Sequence, residues 1–247
     1  MKKTVAVLST FILMCTGLAS AQEVVFSEDT GGVYYPLQLA LYPTVQLVPY
    51  DGDFAGLRLN IIGANRNVSG VDIGLINQTD DIFRGVGIGA VNLSKGNSEG
   101  LSIGLINHAN GDVKGFQGIP FISWWSAFNF VHGQCNGAQG GLFNQASTLR
   151  GVQGGLVNVA YDSKGVMVGL YNYTESFCGL HVGLVNITYN DMTGAQFGIY
   201  NGVRDARGFQ LGLINQCQTL DGLQIGLVNI ASQKESLPTM LFVNWQF

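Results

Sequence analysis

The chain has 247 residues, 47% of them hydrophobic, only 11% charged, and a net charge of −4. No basic patch accompanies that balance, which argues against nucleic acid as a partner. Beyond the first residues no apolar run reaches about 20, so spanning helices are excluded, whereas membrane-crossing strands, which alternate, are not.

In chain order, residues 1–21 read as a secretory signal. Lys2 and Lys3 precede a mostly apolar stretch, and Ala19-Ser20-Ala21 supplies the small-residue cleavage signature, so the mature chain is expected to begin at Gln22. Met14 stands before Cys15 where a lipid-attachment signal needs a small residue, so lipidation is not expected. Residues 22–247 are expected to form a single repeat-built β domain. Two strands are expected around 34–48 and 55–64. The first alternates Leu37, Leu39 and Leu41 with Gln38, Ala40 and Tyr42.

An eight-residue phrase then recurs. It reads GVDIGLIN from Gly70, GVGIGAVN from Gly85 and GLSIGLIN from Gly100, and resumes from Gly137, Gly151, Gly165, Gly179, Gly194, Gly208 and Gly222, where it reads GLQIGLVN. The starting glycines lie 14 or 15 residues apart, except across one gap. A fixed short period signals one supersecondary unit used many times. Within the last copy Leu223, Ile225 and Leu227 share one face at period two, and Gln224, Gly226 and Val228 the other, which is a strand pattern. Polar, turn-prone stretches such as Lys95-Gly96-Asn97-Ser98 separate the copies. A degenerate copy follows Gly115, where FQGIPFISWWSAFNFVHGQCN replaces a clean copy, and its segment Ile119 to Asn136 could add or remove a strand.

Two architectures accept this unit. One is an up-and-down β-barrel of outer-membrane type with roughly 14 strands, leucines to lipid and glutamines to the lumen. The other is a parallel β-solenoid with 14–15-residue coils, leucine and isoleucine stacked inside and the repeated asparagine forming a ladder at a corner. The chain ends on an alternating strand in which Leu241, Val243, Trp245 and Phe247 share a face. Such an ending resembles a terminal insertion signal of bacterial outer-membrane barrels, and neither end reads as a polar solenoid cap. The expectation is therefore the barrel, with the solenoid as the alternative.

The phrase GLQIGLVN, the lead-in GLRLNIIGANRNVSGVDIGL and the ending LFVNWQF together resemble a family of bacterial surface-repeat proteins that includes variable-surface-protein-like chains of spirochaetes. The resemblance runs from about Pro36 to Phe247. It implies export and placement at the surface or outer membrane, and it implies no activity and no site residues.

Candidate sites are few. Gln139, Gln153, Gln196, Gln210 and Gln224 are expected to line a barrel lumen, a neutral lining without strong ion selectivity. Cys135 lies in a G-x-C-x-G match, but the nucleophile elbow requires a strand–turn–helix that the repeat does not offer. Cys135, Cys178 and Cys217 match no metal spacing. His108, His132 and His181 are isolated in sequence, and Asp51, Asp53, Asp80 and Asp81 read as turn acids. Trp124 and Trp125 suit a membrane interface or a loop over a barrel mouth. The expected protein is a non-enzymatic surface or outer-membrane protein with a structural or passive-pore role, or alternatively a surface-attached solenoid for binding or adhesion. Its expected partners are outer-membrane lipid and the export and barrel-assembly machinery, and no cofactor is expected.

Overall fold

A computed structural model describes residues 35–118 and 127–247 and shows a parallel β-solenoid of about 12 turns. Eighteen strand segments among these residues form one continuous sheet. Successive copies pair parallel and in register: Val157↔Tyr171, Asn158↔Asn172 and Gly165↔Gly179 are adjacent partners, as are Gly194↔Gly208 and Gly208↔Gly222. The barrel expectation is thus corrected to its alternative. Every repeat stacks on the preceding one in the same direction, where a barrel would alternate directions.

Each coil is a flattened loop of two facing strand segments. Gln196 Nε2 reaches Thr188 Oγ1 at 3.1 Å, and Gln224 Nε2 reaches the Ile230 carbonyl at 3.4 Å, so side chains from the two segments meet inside the coil. The inward residues of one coil are Asn158, Ala160, Ser163 and Met167, and the next coil buries Asn172, Thr174, Phe177 and His181 at the same places. The glycine–leucine pair of the phrase bends the backbone between two strands, as at Gly169-Leu170 between Val157–Val168 and Tyr171–Val182. That bend shifts the inward parity. Met167 and Asn172 are an odd number of residues apart, yet both point inward.

The bend also corrects the expected filling of the solenoid. Leucine and isoleucine do not stack inside. Leu156, Leu170, Leu184 and Leu213 are about half exposed, while the glutamine and asparagine rows are buried. Glycine opens each phrase for a steric reason. Gly165 has φ +153, and a Cβ there would lie 1.9 Å from the Gly151 carbonyl oxygen of the coil below. Only glycine allows that approach and that dihedral angle together.

The two ends are closed differently. At the front, Tyr35–Tyr42 pairs parallel with Asp53–Asn65 and antiparallel with Val45–Gln46, so it does not serve as a closing strand for a barrel. At the back, Thr239–Gln246 folds antiparallel onto Thr219–Ala231. There Asn244 is buried and donates to Gln224 Oε1 at 3.4 Å, so this strand caps the last coil.

Candidate functional site: two polar ladders and an apolar edge

Inside the solenoid runs an unbroken asparagine ladder from Asn60 to Asn229. Asn158 Nδ2 donates to Asn172 Oδ1 at 2.9 Å and to the Val168 carbonyl at 2.9 Å; Asn172 repeats both bonds, to Asn186 and Val182. Each amide therefore satisfies a carbonyl beside the glycine–leucine bend as well as its neighbour. Asn60, in register with Gly74 rather than with Asn77, starts the ladder by donating to Asn77 at 2.9 Å.

A second ladder runs with opposite polarity. Gln153 donates back to Gln139 at 2.6 Å, Gln210 to Gln196 at 2.8 Å and Gln224 to Gln210 at 2.7 Å. The five glutamines expected to line a lumen, Gln139, Gln153, Gln196, Gln210 and Gln224, are thus packed side chains within the coil stack. The row is broken where Met167 and His181 stand in register between Gln153 and Gln196. Gln153 Oε1 and both His181 ring nitrogens have no hydrogen-bond partner. His181 stacks on Phe177 with ring centroids 3.7 Å apart, and its burial pushes its pKa down to about 3. Towards the front the same row changes character. Arg58 and Asp72 form a buried bidentate pair, and Gly87 and Ser102 leave a cavity of about 20 Å³, room for about one water.

The other candidates lie apart from one another. Cys135 sits inside the strand Phe128–Gly140 without the turn an elbow needs, and burial pushes its thiol up to about 12. Cys217 is likewise buried and Cys178 is exposed, and none of the three is in a disulfide. His108 and His132 are not isolated in space, since their rings lie 5.0 Å apart at the surface. No group of three or more His, Cys, Asp or Glu among the described residues could hold a metal. Asp53 pairs with Arg66, whose hydrogen bond holds it below the usual carboxylate range, and Asp80 pairs with Lys95. Trp124 and Trp125 lie outside the described residues.

What the fold builds over its whole length is an apolar edge. The leucine row at the bend is flanked by the outward rows that carry Val152, Val168 and Leu211 on one face and Phe128 and Ile214 on the other. These rows contain no charged residue among the described residues. At about 4.8 Å per coil the edge extends roughly 55 Å, longer than scattered surface leucines require. At the front it widens into an apolar groove of about 560 Å³ lined by Leu39, Leu41, Val45, Leu47, Leu59 and Ile61. The terminal residues Leu241, Val243, Trp245 and Phe247 point outward from the capping strand, with Phe247 92% exposed. Alternation in the sequence separates glutamine from leucine, but it does not show that the leucines remain uncovered. No family model, curated protein or solved structure matches this chain.

Proposed function

We propose that this chain is an exported, non-enzymatic β-solenoid that works as a binding module, with the apolar edge as its docking surface. The carrying observation is the edge itself. A soluble chain gains nothing from repeating an exposed leucine coil after coil, because exposed apolar patches of this size mark interaction sites. The interior is the weaker candidate for the role, since its amides bond mainly within their own ladders and the cavity found among them is water-sized. The signal-like residues 1–21 support export, and the resemblance to bacterial surface-repeat proteins supports a place at the cell surface. The passive pore and the barrel-assembly partner belong to the barrel architecture and are not part of this reading.

The test uses a dye that fluoresces on apolar protein surface. The chain is expected to bind it, and the double variant Leu170→Glu/Leu184→Glu is expected to lose most of that signal while keeping its β circular dichroism. Undiminished dye binding by the folded variant would remove the edge as the docking surface.

A further inference from the structure

We propose that the apolar edge docks on a lipid leaflet bearing anionic headgroups, with the solenoid lying along the membrane surface. This inference rests on the docking role of the edge and names its occupant. Three observations favour lipid over a protein partner.

The first is shape. The leucine row sits on the bend of each coil and the apolar rows fall away on both sides of it, so the surface is a convex ridge. A ridge leaves little area for a flat or like-shaped partner, whereas fluid acyl chains close around it. The second is charge. Beside the apolar rows, Arg150 and Lys164 occupy adjacent coils in register. Both are exposed, and neither has an ion-pair partner among the described residues. Two stacked cations at the border of an apolar surface are placed to meet headgroup phosphates. The third is the opposite border. There Tyr161 and Tyr189 are 49% and 66% exposed. Tyrosine at the boundary between apolar and polar surface suits the headgroup level of a leaflet. Tyr161 shares a coil with Lys164, Arg150 stands one coil before it and Tyr189 two coils after it, so cations and tyrosines border the ridge within four consecutive coils, an arrangement suited to a protein that lies in the interface without spanning it.

Flotation of the full chain with vesicles tests the proposal. Vesicles of phosphatidylcholine with phosphatidylglycerol are expected to carry the chain upward, and vesicles of phosphatidylcholine alone to carry less of it. Arg150→Gln/Lys164→Gln is expected to weaken binding to the anionic vesicles by about thirtyfold at low salt. Leu170→Glu/Leu184→Glu is expected to abolish flotation. Leu170→Gln, a milder change at an exposed position, covers the case in which the double variant fails to fold. As a readout independent of folding, a polarity-sensitive fluorophore on Leu170→Cys in a Cys15→Ser/Cys178→Ser background is expected to shift to the blue on vesicles. Absence of flotation with both vesicle types would overturn the proposal, as would flotation unchanged by the folded edge variants. If the chain ignores vesicles but self-associates through the edge, and Leu170→Glu disrupts that association, the lipid assignment falls while the docking role stands. If the edge variants alter neither flotation, self-association nor dye binding, both fall.

Discussion

Asn172 shows what one repeated side chain contributes. It accepts from Asn158 and donates to both Asn186 and the Val182 carbonyl, all within the buried interior. Replacing it with alanine removes three bonds and leaves buried groups unpaired in two neighbouring coils. Asn172→Ala is therefore expected to destabilise the chain by about 2–4 kcal/mol, read as a lower midpoint in urea. Asn172→Asp should do no better, because a carboxylate donates nothing to Asn186 or Val182. His181 is the opposite case, a residue that costs stability where it stands. Its neutral ring is buried with two unpartnered nitrogens, and its folded pKa of about 3 lies below the ordinary histidine value of 6.5. The unfolded chain therefore binds a proton that the folded chain refuses between those values. Stability is full above about pH 6.5 and falls as pH drops through that window, by on the order of 1.4 kcal/mol per pH unit. Asp53, Glu99 and Asp205 also have depressed pKa values, but their contributions are lost only below the ordinary carboxylate range. His181 contributes to the slope between about pH 4.5 and 6.5. Met167→Gln/His181→Gln is expected to join the two halves of the glutamine ladder, flatten that slope and raise stability at pH 7 by about 1–3 kcal/mol. Urea midpoints of both chains at pH 5 and pH 7 check it.

The coil is the element of this fold, and its two bends explain how much of it the sequence discloses. From the opening glycine to the glycine–leucine bend, simple alternation holds, so counting along the chain places Gln224 and Leu223 on opposite faces correctly. Past the bend it fails. Asn229 has the parity of Leu223 by counting, yet lies inside with Gln224, because the chain has turned a corner between them. Strand direction is hidden for a related reason. Short polar turns look the same whether they reverse a chain or carry it on, and the telling clue is that asparagine recurs at one fixed place, where a ladder can use it. The meeting of His108 and His132 is not legible either, because a lengthened coil separates them in sequence. Two substitutions probe the element directly. Gly165→Ala places a methyl against the Gly151 carbonyl at φ +153, and is expected to cost about 2 kcal/mol or more. Removal of residues 239–247, the final strand Thr239–Gln246 and Phe247 after it, uncovers Gln224 and Asn229 at an open sheet edge. The truncated chain is expected to associate end to end, seen as larger species in light scattering, because an unprotected strand edge invites pairing.

As a whole, the molecule reverses the usual arrangement of a globular protein: amides fill a large share of the interior and leucines line one outer edge. The arrangement is self-consistent. A flattened coil has room inside for about four side chains per turn, and each ladder bonds along its own row of the stack, while the bend projects leucine outward. The same repetition that makes the interior regular makes the edge long, and the proposed docking follows from that length. All of this depends on identical positions of successive coils lying side by side, with the leucines outside. The direct test is a double variant, Leu170→Cys/Leu184→Cys, in a Cys15→Ser/Cys178→Ser background; Cys135 and Cys217 are buried, with thiols pushed up to about 12. A bifunctional thiol reagent spanning less than about 8 Å is expected to link the two new cysteines within one chain in high yield, since neighbouring strands lie about 4.8 Å apart. If the strands instead ran up and down about a turn at Thr174-Glu175-Ser176, Leu184 would lie three or more residues, at least roughly 10 Å, along its strand from the residue opposite Leu170. Both thiols would then react singly with no link between them, and that result would contradict the stacked-coil account.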